Sequence, residues 1–171
     1  MGNPYATKGG IGSAALDLGN GLIVGALIAV NAFGDVVDES GTILAGLRSE
    51  PDSHHFPGTL NTLRSMLAGD APSLSSSSNT VIGIVMTTAR LTKEQVNKVA
   101  QMAQDGLARA VHPAHTMYDG DTLFAAATGT CEADVSFVGA LAADTVTTAV
   151  RRAVLAASSL ADVKALRDLK H

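Results

Sequence analysis

Apolar residues along the chain switch between strand-like runs and helical spacing. Leu22-Ile-Val-Gly-Ala-Leu-Ile-Ala-Val30 is a continuous apolar run bounded by Gly21 and Asn31, which fits a strand covered on both faces. Val81 to Thr87 is a second strand, apolar and partly β-branched. Leu123 to Thr128 is a third, ended by Gly129. Between the last two, Val96, Val99, Ala100, Ala103, Leu107 and Ala110 recur at the helical period. Thr92 and Gln95 supply a capping box for that helix, and Pro113 prevents its continuing. An Ala-rich helix is predicted from Phe137 to about Leu160, with Ala142, Val146, Val150 and Val154 along one side, then a short helix over Ala161 to Leu169. Near the start, Ile11 to Leu18 forms a short segment after a Gly-rich stretch. Val36-Val37 and Thr42-Ile43-Leu44 predict a small hairpin around Asp38 to Gly41.

Residues 46–79 lose this periodicity. They hold Glu50-Pro51-Asp52, His54-His55, Pro57-Gly58, Pro72 and the Ser75–Ser78 run. A short helix around Thr59 to Leu67 is expected, and the rest reads as surface loop or linker. A loop this long inside a compact domain is usually functional or disordered, and a processing site is one such function. Strands, loop, strand, helix, strand, helix is the order of an α/β layered fold.

The totals narrow the picture. A chain of 171 residues is expected to form one domain. Apolar residues make up 46% but aromatics only 4%, with no Trp, so the core must be Ala, Val, Leu and Ile. The net charge of −4 and the absence of a basic stripe argue against nucleic acid as a partner. Cys131 is the single cysteine, which excludes an internal disulfide and reads as packing. Residues 1–8 carry no signal-peptide pattern, and Leu22–Val30 is too short to span a bilayer. A soluble cytoplasmic protein with no membrane partner is expected, or a periplasmic one if the true N-terminus lies upstream.

Candidate chemistry begins at Asn79-Thr80, where a polar Ser run meets a strand. By itself this is an ordinary Thr opening a strand. If the Asn79–Thr80 bond were cut, Thr80 would carry a hydroxyl nucleophile and an α-amine that could serve as its general base. Asp119 and Asp121 stand two apart around Gly120: they share a face if extended, or converge if Gly120 turns. On residue type alone they are turn aspartates. Asn31 ends a strand and Lys8 reads as a surface lysine. His112 and His115 imitate metal spacing, but Pro113 between them breaks a shared helical face, so no metal and no cofactor is expected. His54 and His55 read as solvated, and His115 as structural.

Lys8-Gly-Gly-Ile-Gly-Ser-Ala14, Val24-Gly-Ala-Leu-Ile-Ala-Val-Asn-Ala32, Asp35-Val-Val-Asp38, Asn79-Thr-Val-Ile-Gly-Ile-Val-Met86, Ala103 to Ala110, Pro113-Ala-His-Thr116 and Asp119-Gly-Asp-Thr-Leu-Phe-Ala125 stand in this order. Together they resemble the L-aminopeptidase/D-esterase family of self-processing N-terminal-nucleophile hydrolases. That family includes β-peptidyl aminopeptidases and the 6-aminohexanoate oligomer hydrolase. The resemblance implies a layered α-β-β-α sandwich of the N-terminal-nucleophile-like type, incomplete at its N-terminus. Residues 1–79 would be the C-terminal portion of an α part, with a linker over 46–79, and 80–171 a β part. It implies autocleavage at Asn79–Thr80 and a Thr80 acyl-enzyme. Asn31 would be the oxyanion donor, Asp121 would hold the Thr80 amine, and Asp119 would hydrogen-bond the Thr80 hydroxyl. Lys8 would lie near enough to depress the amine's pKa. The implied activity is release of N-terminal residues from short peptides, amides or esters, with ω-amino-acid oligomers as an alternative substrate and an inactive assembly module as another alternative. A homo-oligomer of processed parts is expected. The family's upstream segment, with a Tyr of the oxyanion hole, has no counterpart here, and Tyr5 does not match that context.

Overall fold

The computed structural model describes residues 4–70 and 79–169, so the Ser75–Ser78 run lies outside the described residues. In chain order the elements are β1 (Ile11–Asp17), β2 (Ile23–Asn31), β3 (Asp35–Val37), β4 (Ile43–Ala45), α1 (Thr59–Ala68), β5 (Thr80–Ala89), α2 (Lys93–Ala110), β6 (Val111–His112), β7 (Thr122–Cys131) and α3 (Val135–Ala156). A single 3-10 turn, Leu166–Asp168, follows.

Four strands form one sheet in the order β1-β2-β5-β7, and β4-β3-β6 form a smaller one. β1, β2 and β5 are successively antiparallel. β5 and β7 are parallel, joined by the crossover that carries α2, as a parallel pair requires. α2 and α3 pack on each other and on one face of the sheet. Val24, Ile28, Val81 and Val85 point into that layer and are fully buried against Val99, Leu107, Val146 and Val150. Gly106 allows the two helices to touch: a Cβ there would lie 2.1 Å from the Ala143 carbonyl oxygen. Thr147 Oγ1 seals the crossing by donating to Gly106 O at 3.0 Å.

Local signals account for most boundaries. The Thr92 hydroxyl accepts from Gln95 N while the Gln95 side-chain oxygen accepts from Thr92 N, so the expected capping box starts α2. The hairpin around Asp38–Gly41 forms, with the Asp38 carboxylate taking the Ser40 and Thr42 amides. Those bonds, and the Ser40 hydroxyl before them, hold Asp38 below the usual carboxylate range. The start of α3 is set by Asp134, whose side chain accepts from Ser136 N and Phe137 N. The helix therefore begins two residues before Phe137.

Three expectations fail. β7 does not end at Gly129, which takes φ 79° within the strand, but runs on to Cys131. The helix predicted over Ala161–Leu169 is a 3-10 turn only; Ala161 takes φ 51° and Leu160 bridges to Val163, which turns the chain instead. And β2 is covered on one face, not two. Its alternate residues Ile23 and Leu27 are exposed, together with Ile11, Ile82, Met86 and Phe124 of the neighbouring strands.

Candidate active site

The site forms where three strand ends meet. Thr80 opens β5 and Asn31 closes β2, and the antiparallel register sets them directly opposite each other. Since β7 runs parallel to β5, the loop leading into it arrives at the same end of the sheet, and Asn79 bridges Asp119. The topology thus brings Asn31, Thr80, Asp119 and Asp121 together across more than eighty residues of chain.

The Thr80 hydroxyl donates to the Asn79 carbonyl oxygen at 2.5 Å. The Gly120 N–H donates to the same oxygen at 3.0 Å. A Cβ at Gly120 would lie 3.0 Å from Thr80 Oγ1, so the loop packs directly on the hydroxyl. Asp121 accepts from Val81 N at 2.9 Å, the amide just after Thr80, and its second oxygen lies 3.1 Å from His115 Nδ1. Its side chain is only 5% exposed. Asp119 accepts from Phe33 N at 3.0 Å and from Thr116 Oγ1 at 2.7 Å. The Phe33 and Tyr118 rings, 4.9 Å apart, close the same junction.

Each residue singled out in the sequence can now be placed. Thr80, Asn79 and Asn31 are together. Asp121 stands beside Thr80, bonded to Val81 N on one side and to the His115 ring on the other. The Asp119 carboxylate is held by Phe33 and Thr116. Lys8 lies on the segment that continues β1 past the end of β2, where Gly10 O accepts from Val30 N. Its ammonium donates to Gly9 O at 2.7 Å. Among the described residues no group of three or more His, Cys, Asp or Glu could hold a metal ion.

Three features escaped sequence reasoning. Thr116, three residues before Asp119, fits a local Thr–Asp turn and could have been read as its partner. The Phe33 and Gly120 amides carry no side-chain signal. Asp35, for which the sequence offers no partner, is buried, and accepts from Thr59 N at 2.6 Å and Thr59 Oγ1 at 2.8 Å. It thereby caps α1 from a distance. Burial pushes its carboxyl pKa up, against the Thr59 bonds that pull it down. Beside it a cavity of about 140 Å³ runs between Thr59, Phe33, Asn31 and Asn79.

A family model for peptidase family S58 matches residues 3–167. The chain belongs to peptidase family S58. Among the proteins to which this S58 chain is similar is an uncharacterized aminopeptidase of Mycobacterium leprae, 41% identical over 173 residues that cover 91% of this chain and 47% of the relative. A 6-aminohexanoate-oligomer endohydrolase of Paenarthrobacter ureafaciens is 30% identical over 120 residues, 70% of this chain and 33% of that one. The solved L-aminopeptidase D-Ala-esterase/amidase of Ochrobactrum anthropi, described as a variant of the Ntn hydrolase fold, superposes with a TM-score of 0.52 at 20% identity, over 90% of this chain and 42% of its own. That likeness establishes the expected fold type: α/β, N-terminal-nucleophile-like. The S58 chain spans about half the length of the curated relatives it matches.

Proposed function

We propose that Thr80 cuts its own chain at the Asn79–Thr80 bond and then serves as the nucleophile of an aminopeptidase acting on short peptides, amides or esters. The observation that carries this reading is the Thr80 hydroxyl seated on the Asn79 carbonyl, at a strand end that also gathers Asn31 and Asp121. Membership of a peptidase family supports it.

In the cut protein the Thr80 α-amine takes the hydroxyl proton, and Oγ1 attacks the substrate carbonyl. The Asn31 side-chain amide donates to the developing oxyanion, a role worth on the order of 10²-fold in rate. The tetrahedral adduct expels the amine product, leaving an acyl ester on Thr80. Water hydrolyses that ester and restores the hydroxyl. Asp121 holds the Thr80–Val81 peptide in place, and the cavity beside Asn31 offers room for the residue to be released. Lys8, on the adjoining segment, would lower the pKa of the amine once its ammonium turns toward it. Processed parts assembling as a homo-oligomer belong to the same reading.

Intact mass and N-terminal sequencing of the protein as its gene encodes it test this. The expected result is a chain beginning at Thr80 and hydrolysis of alanine p-nitroanilide, both abolished by Thr80→Ala. An active preparation holding only uncut chain would sink the proposal. A second reading, hydrolysis of ω-amino-acid oligomers, is favoured by the relative named 6-aminohexanoate-oligomer endohydrolase. Turnover of a 6-aminohexanoate oligomer in preference to the alanine anilide would select it. A Thr80 end with turnover of neither would instead leave an assembly module.

A further inference from the structure

We infer that the main-chain N–H of Gly120 is the oxyanion donor for the self-cleavage step, aimed by the two aspartates on either side of it. The inference rests on the self-cleavage reading above and adds the group that makes the first step possible.

That step has a defined need. Thr80 Oγ1 attacks the Asn79 carbonyl carbon, and the carbonyl oxygen takes up the negative charge. The C–N bond to Thr80 then breaks, with the hydroxyl proton passing to the departing amine. The product is an ester between Asn79 and Thr80 Oγ1, which water hydrolyses to the Asn79 carboxylate and the free hydroxyl. The charge in the first intermediate sits on one atom, Asn79 O. The Thr80 hydroxyl now pointing at that atom cannot stabilise the charge, because it loses its proton in attacking. The Gly120 N–H is the second donor to that atom, at 3.0 Å, and it keeps its proton throughout.

The amide is also held still before reaction, which is what makes a donor effective. On its N-terminal side, Asp119 is tied to Phe33 N and to the Thr116 hydroxyl. On its C-terminal side, Asp121 is tied to Val81 N and to His115. The Thr80 hydroxyl stands against Gly120, where a side chain at that residue would crowd it. The Asp-Gly-Asp order therefore has a single geometric meaning: two anchors with a bare amide between them. Asp119 and Asp121 act here as positioning residues.

Replacing the Gly120 amide nitrogen by oxygen, Gly120→glycolate by semisynthesis, removes the N–H and little else. The appearance of the Thr80 end is followed by intact mass. We expect it to slow on the order of 10²- to 10³-fold, with the uncut variant melting near the temperature of uncut Thr80→Ala. Equal rates for glycolate variant and wild type would overturn the Gly120 role and leave self-cleavage standing. A wild-type protein that never yields a Thr80 end would remove the self-cleavage reading and this inference with it.

Discussion

The two faces of the four-stranded sheet carry similar side chains and meet different surroundings. One face presents Val24, Ile28, Val81 and Val85 to α2 and α3, and is dry. The other lines up cross-strand rows: Ile11, Ala29, Ile82 and Thr122 in one, Ser13, Leu27, Ile84 and Phe124 in the next. Val81 is 0% exposed while Ile82 beside it is 49% exposed. Composition along the strands does not separate the faces; the helices do. The next row beyond Ile82 is Asn31 and Thr80, so the candidate site stands at the end of the open face. The buried core lies on one side of the sheet, and the candidate site and the exposed apolar rows on the other. An apolar face of this extent has the composition of a packing surface rather than a solvated one.

The contrast can be broken by substitution. Ile28→Ala empties a fully buried position under α3 and should cost about 2–5 kcal/mol in urea unfolding. Asp35→Ala asks whether burial of a polar group away from both faces is also costly. It strands the Thr59 N–H and hydroxyl, an expected loss of about 1–3 kcal/mol. This loss depends on pH. Burial raises the Asp35 pKa in the folded state, so the folded state holds the proton more tightly. The stability Asp35 contributes is present below the unfolded value of 3.8 and falls as pH rises through the raised folded value. The cost of Asp35→Ala should thus be larger near pH 4 than at pH 7, and a cost flat in pH would refute the assignment. Met86→Lys, on the open face, should change stability by no more than about 0.5 kcal/mol and should reduce self-association in light scattering. If it costs as much as Ile28→Ala, the face is covered and the comparison fails.

What could be read beforehand follows the range of the forces involved. The Thr92–Gln95 box, the helical period from Val96 to Ala110 and the Asp38 turn are local, and all three form as expected. The uniform run Leu22–Val30 did not report which face would be covered, because a strand's sequence records apolarity on both sides and says nothing of what packs there. Ala161–Leu169 has helix-forming composition, but the Leu160–Val163 bridge and the fold-back of Ser159 onto Asp168 override it. At the site, residue type alone reads Thr80 as a strand opener, Asn31 as a strand end and the aspartates as turn residues; only the family resemblance singles them out. Which amide each aspartate would accept from was not legible, since Phe33 lies 86 residues from Asp119 and Val81 40 from Asp121.

The place of β5 has a consequence for what a cut would produce. β5 belongs to the second part of the chain, yet it lies between β2 of the first part and β7 of the second. α3, also from the second part, packs across β1 and β2. A break at Asn79–Thr80 would thus leave two polypeptides sharing one sheet and one core. They could separate only by dismantling that core, so the pair would run as a single species under native conditions and as two in denaturant. The cut would free an amine without freeing a fragment.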